Sequence, residues 1–208
     1  MSGPAGRFPG FDAASQAPHW DQVTAELITA RSEPPAEVKF FNDAERSCAA
    51  ALLDLLTGQD GAEDQYAVPV LEMIDARLAA GETDGWRYED MPEDGQAWRD
   101  TLSYLDADAV GRCGTTFAEA PDADQRELVQ AVQDLKSGPW HGLPAEHVWS
   151  LWTRYACTAF YAHPFAWNEI GFPGPAYPRG YKNAGVGKLE PFEVADARPS
   201  EDPVREGA

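Results

Sequence analysis

The chain has 208 residues, a length that fits one domain with tails. A compact chain of that size buries roughly 70% of the surface its unfolded form exposes, so its core needs no staples. Asp and Glu outnumber Lys and Arg by 35 to 16, a formal net charge of -19, which excludes nucleic acid and anionic membranes as natural partners because phosphate contacts need clustered cations.

Residues 1–39 read as a flexible leader, rich in Gly, Pro, Ala and Ser through residue 17. It carries one short helix, with Pro18 in the first turn and Trp20, Val23, Leu27 and Ile28 along one face, before Pro34-Pro35 breaks the pattern. Residues 40–164 read as a helical bundle. Its first helix runs from about Asp43 to Thr57, opened by an Asn42/Glu45 capping box, striped by Ala49, Leu52, Leu53 and Leu56, and stopped at Gly58. A second starts near Val68, with Leu71, Ile74 and Leu78 on one face, and ends at Gly81. Gly81 to Gly95 is an acidic loop. A third helical region spans about Gln96 to Phe117, with Trp98, Leu102, Leu105 and Val110 spaced for burial and its second half weakened by Gly111 and Gly114. Asp122 and Gln125 make another capping-box pair, opening a helix through Leu135. Pro144 opens the last helix, striped by Val148, Leu151, Trp152, Tyr155, Ala159 and Phe160 and ended by His163-Pro164. No hairpin dipeptide sits between alternating strands and no repeat is visible, so the expected fold is all-α, an irregular orthogonal helical bundle.

Chemistry is sparse along this chain. The four histidines are too scattered for an i, i+4 metal pair, and no Gly-x-Ser-x-Gly elbow occurs. The Gly180–Leu189 run fails as a phosphate loop, since Leu189 stands where a magnesium-binding hydroxyl is needed. No dinucleotide fingerprint follows a strand. The acid pairs Glu89-Asp90 and Glu93-Asp94 fit a solvated loop better than glycoside chemistry. Cys48, Cys113 and Cys157 have no metal or disulfide spacing and read as small buried apolar residues within helices. These features predict no catalytic, cofactor-binding or metal-ligating residue in this chain. The N-terminus has neither a secretory layout nor a twin-arginine pair, and no stretch reaches the ~18 apolar residues of a spanning helix, so the expectation is a cytoplasmic protein without membrane insertion.

The informative segment lies near the C-terminus. Charge is uneven: residues 60–127 hold 18 acids and 5 bases, whereas residues 140–192 hold 3 acids and 4 bases together with 12 of the 23 aromatics. Within 171–187, eight of 17 residues are Gly or Pro, interleaved with Phe172, Tyr177 and Tyr181. Proline lowers the entropy lost on ordering and aromatics bring large burial area with few rotatable bonds. Residues 165–192 therefore read as an extended aromatic arm that docks on a surface, followed by a disordered acidic tail over 193–208.

Phe40-Phe41-Asn42-Asp43-Ala44-Glu45 and the closing run Phe165 to Tyr181, above all Trp167-Asn168-Glu169-Ile170-Gly171-Phe172-Pro173-Gly174-Pro175, resemble the gluconate 2-dehydrogenase subunit 3 family. The resemblance implies a small helical subunit, itself without cofactor, in a heteromer with a large FAD-dependent oxidoreductase of the glucose-methanol-choline (GMC) class. That partner would carry the FAD and oxidise a sugar, glycoside or sugar acid. Members with a twin-arginine signal work in the periplasm; this chain has none, which points to a cytoplasmic complex or to a signal on the partner. Under this reading the partner contacts are Trp167, Glu169, Phe172, Pro173, Tyr177, Pro178, Arg179 and Tyr181, with the aromatics as anchors and Glu169 and Arg179 fixing register. In a stronger form the arm shapes access to the partner's active site. A rival reading makes the chain a stand-alone helical enzyme or small-molecule-binding domain that uses the aromatic cluster as a pocket.

Overall fold

A computed structural model describes residues 6–33, 39–59, 68–183 and 185–201. The Pro34-Pro35 breaker, the first residues of the leader and the end of the acidic tail lie outside them. The fold is all-α. In chain order the helices are α1 (Gln22–Arg31), α2 (Asp43–Thr57), α3 (Val70–Ala79), α4 (Asp94–Cys113), α5 (Asp122–Asp134), α6 (Ala145–Ala162) and α7 (Pro164–Ile170), with a 3-10 helix over Ala13–His19 and another over Phe117–Glu119. Among the described residues no helix is long and apolar enough to cross a membrane. The chain divides into two compact units, Pro34–Phe160 and the pair of segments Met1–Glu33 and Tyr161–Ala208.

In the 34–160 unit, α2 is opened by the predicted Asn42/Glu45 capping box and closed by left-handed Gly58. Its apolar stripe, Cys48, Ala49, Leu52 and Leu53, is buried, as are Ile74 of α3, Trp98, Leu102 and Leu105 of α4, and Val148, Leu151, Trp152 and Tyr155 of α6. Several of the polar atoms carried into this core find partners, whereas Trp98 Nε1 meets none among the described residues. Trp152 Nε1 donates to Thr101 Oγ1 at 3.1 Å, and Tyr155 donates its hydroxyl to Asp94 at 2.6 Å. Asp75, fully buried, accepts from the backbone amides of Lys39, Phe40 and Phe41 at 2.5, 2.9 and 2.8 Å. Arg99 then stacks over Phe40 and hydrogen-bonds its carbonyl and Glu45. The Phe40–Glu45 run is thus a backbone anchorage, with one carboxylate satisfying three amides that burial would otherwise leave unpaired.

Several details depart from the sequence pattern. Val110 is 54% exposed, because α4 runs on to Gly114 past the end of the buried stripe. The Asp122/Gln125 capping box does not form: Pro121 is the N-cap, and Gln125 turns inward to donate to the Phe117 carbonyl at 2.8 Å. A minimal hairpin pairs Pro139–Trp140 with Leu143–Pro144 through His141 and Gly142, whose φ values are +48° and +87°. Two-residue strands are too short to show alternation, and positive φ at both turn positions is what a tight hairpin demands. Of the cysteines only Cys48 is buried, whereas Cys157 faces solvent.

The second unit has its own core: Ala13, Trp20, Ile28 and Trp167, with Phe11, Ala17 and Ala25 against it. Where a loose leader was expected, Ala13 donates its amide to Asn168 Oδ1 at 2.7 Å, so the two ends of the chain are packed together within this unit. Helix α1 turns Ile28 inward but leaves Val23 and Leu27 75% and 55% exposed.

Candidate functional site

The arm begins in a helix, where an extended chain was expected. His163 caps α7, its Nδ1 accepting from the Phe165 amide at 3.1 Å, and burial holds its pKa below the usual range, which preserves the neutral acceptor. Pro164 takes the first turn, and left-handed Gly171 ends the helix. Trp167 lies inside this unit's core, 4% exposed, and donates Nε1 to the Tyr161 carbonyl at 2.7 Å.

Two glycines of the closing run are demanded by close approach. A Cβ on Gly174 (φ +77°) would stand 2.4 Å from the Trp20 ring, and one on Gly171 (φ +68°) 2.5 Å from Phe8. The rings of the N-terminal segment lie close against bare backbone, which only glycine allows. Pro173 is buried with them.

Beyond Gly174 the arm loops outward. Glu190, 5% exposed, ties the loop: it accepts from the Lys182 and Asn183 amides, while Asn183 Nδ2 donates to the Leu189 carbonyl at 3.0 Å. Arg179 lays its guanidinium over Phe192, 3.9 Å from the ring centre, and donates Nη1 to Gln16 Oε1 at 2.9 Å. The expected disordered tail is tied down as far as Glu201. Arg7 pairs with Asp196 and donates to the Arg198 and Glu201 carbonyls, and the Arg198 amide followed by the Arg7 guanidinium holds the Asp196 carboxyl below its usual range.

Ordered this way, the arm presents Tyr177 and Tyr181 at 66% and 62% exposure. Glu169, Phe172 and Pro178 are also on the surface, and Arg179 is partly covered. Of the eight residues expected to meet a partner, five are therefore exposed, and Trp167 and Pro173 serve this unit's interior. Tyr161, Ile170, Val186 and Leu189 add further exposed apolar surface. The sequence reading did not find a cavity of about 570 Å³ between Gln16, His19, Arg179, Lys182 and Phe192. Its walls come from both ends of the chain, a pairing that no local pattern announces.

The 34–160 unit carries a polar cluster around Tyr155. Arg77 and Arg154 flank the Tyr155 ring and share Asp84 as ion-pair partner, with Trp86 on the outer side of Arg154. Burial, and then the hydrogen bond to Asp94, push the Tyr155 hydroxyl well above its ordinary pKa, so it is a fixed donor. The cluster is an internal ion-pair network closing the 81–93 loop. Among the described residues no group of three or more His, Cys, Asp or Glu is placed to hold a metal ion.

The family model described as Gluconate 2-dehydrogenase subunit 3 matches residues 43–174, from the first residue of α2 to the glycine beneath Trp20. No curated protein and no solved structure matches the chain.

Proposed function

The chain belongs to the gluconate 2-dehydrogenase subunit 3 family, and on that premise we propose that it is a non-catalytic small subunit that binds and stabilises a large FAD-dependent oxidoreductase of the GMC class. Family membership implies a complex with a larger oxidoreductase. The FAD and the oxidation of a sugar, glycoside or sugar acid belong, in this proposal, to the partner.

The observation that carries the docking role is the ordered display of Tyr177 and Tyr181. Two large aromatic side chains stand in solvent on a loop that Glu190 and Arg179 hold in shape. A preformed loop loses little entropy on binding, and buried tyrosines commonly carry much of an interface's energy. Phe172, Pro178 and Glu169 are exposed as well, and Arg179 sets the loop's register through its own contacts rather than as a free cation.

Co-expression with the large subunit tests this. The double variant Tyr177→Ala/Tyr181→Ala should weaken the complex by about 2 kcal/mol or more, roughly thirtyfold, while the chain itself stays folded. An undiminished complex would refute the docking role. If the arm also borders the partner's active site, variants that keep the complex will change substrate preference, and unchanged kinetic constants would remove that stronger form.

A further inference from the structure

The loop that closes over the Tyr155 cluster leaves one buried acceptor open. Asp94 is 4% exposed, yet its carboxylate is only half used. Oδ2 accepts the Tyr155 hydroxyl at 2.6 Å and lies 3.9 Å from Arg154 Nη2, while Oδ1 accepts from no donor among the described residues. Oδ1 is not sealed in. The unpartnered polar atoms closed off from solvent among the described residues belong to Trp20, Trp98, Arg154 and Arg179, and none to Asp94. Asp94 forms part of the wall of a cavity of about 310 Å³, with Thr83, Gly85, Trp86, Arg87 and Glu93 around it. A buried acceptor is costly to leave unpaired, so Oδ1 calls for a donor from that cavity.

The donor has to be neutral. Each carboxylate of the cluster already faces a guanidinium: Asp84 pairs with Arg77 and Arg154, Glu93 with Arg87 at 3.1 Å, and Asp94 with Arg154. An ammonium group would be repelled by Arg87 and Arg154, and an anion by Asp94 and Glu93. The rest of the wall suits hydroxyls. Thr83 Oγ1 accepts from the Gly85 amide at 3.2 Å and keeps its own hydrogen to donate. Arg87 serves the Met91 carbonyl and Glu93 and has N–H groups left over. Trp86 is 50% exposed with Arg154 against its ring, which leaves an apolar platform in solvent. A pyranose brings the matching set: a C–H face for the ring, and rim hydroxyls that both donate and accept. The volume stands at the small end of the range for small-molecule sites.

We propose that this cavity binds a neutral monosaccharide in its pyranose form, with one hydroxyl donating to Asp94 Oδ1, the C–H face on Trp86, and Thr83 and Arg87 donating to the other hydroxyls. The site belongs to the 34–160 unit, goes beyond the docking role and does not depend on it.

The test is a titration of the isotope-labelled full chain with glucose, galactose and xylose, read at the Trp86 Nε1–H and Gly85 amide resonances. Cyclohexanol and methylammonium chloride are the controls, at matched ionic strength. At least one sugar should move both signals saturably, while cyclohexanol, with a single hydroxyl, and the methylammonium cation do not. Trp86→Ala removes the platform from an exposed position and should weaken sugar binding at least tenfold, read at the Gly85 amide. Asp94→Asn keeps an oxygen for Tyr155 but loses the charged acceptor, and should weaken binding about fivefold or more. The comparison of ligands on the unaltered chain stands even if a variant fails to fold. No saturable shift with any of the three sugars, a control that binds as well as the sugars, or unchanged affinity in either folded variant would each overturn the proposal. Because the titration uses this chain by itself, its failure leaves the tyrosine docking test intact, and the converse holds.

Discussion

In the 34–160 unit, Trp98, Trp152 and Tyr155 are at most 1% exposed, and the last two have their polar atoms tied to Thr101 and Asp94. In the other unit, Tyr177 and Tyr181 stand more than 60% exposed on a loop whose own hydrogen bonds hold it in place. Both regions are rich in aromatics, yet they use them oppositely. A helix turns its apolar stripe inward at a 3.6-residue period, and the ring follows. A loop built on Gly and Pro has no such period, so its own rings stay outside while its glycines admit rings from elsewhere, as Gly174 admits Trp20.

The largest effect should come from the buried side. Trp152→Ala removes a fully buried ring and leaves Thr101 without its donor, and should cost about 3–5 kcal/mol in denaturant unfolding of the 34–160 unit. Hydrogen exchange in α4 would localise the loss, and a cost below about 1 kcal/mol would mean that α4 and α6 are not packed as described.

The glycine contrast comes next. Gly174→Ala meets both a positive φ and the Trp20 ring and should cost about 1–3 kcal/mol. Gly180→Ala has a similar φ of +69° with open space around it, so it isolates the backbone strain alone and should cost about 1 kcal/mol. Equal costs would show that the ring does not rest on Gly174.

A smaller effect follows pH. Burial depresses the His163 pKa below its unfolded value of about 6.5, so the unfolded chain takes up the proton first. The stability contributed by the neutral cap is full above about pH 6.5 and is lost as the pH falls through the folded value. His163→Asn keeps an acceptor at the cap and should flatten that slope; an unchanged slope would assign it to other groups.

The smallest effect on the chain itself is expected from the exposed side. Tyr177→Ala/Tyr181→Ala should shift unfolding by less than about 0.5 kcal/mol, while costing the complex the most affinity. If these tyrosines prove to stabilise the isolated chain by more than about 1 kcal/mol, the comparison collapses and the arm is a core element.

Much of the bundle was legible in the chain. The Asn42/Glu45 box, the α2 stripe, the Gly58 stop and the α6 face are local patterns within one or two helical turns, and they appear where the spacing puts them. Gln125 shows the limit. Its spacing from Asp122 suits a cap, but burial beneath Phe117 gives its amide a better partner. The outward side of the candidate site was also readable, because Gly and Pro forbid the arm a regular periodic face. Its inward side was not. Trp167 was expected at a partner and packs instead with Trp20, about 150 positions earlier in the chain.

Local sequence therefore determined most of the bundle's helices, the capping box and glycine stop of α2, and that an aromatic arm of nearly balanced charge follows an acidic bundle. These depend on spacing, capping chemistry and the fixed φ of proline, all of which act within a few residues. Tertiary structure alone decided that Asp75 gathers three amides ahead of α2, that Gly171 and Gly174 receive Phe8 and Trp20, and that Arg179 donates to Gln16 at the other end of the chain. Each of those joins groups far apart in sequence, and the free energy that joins them is burial, which depends on what surrounds a residue and not on its neighbours along the chain.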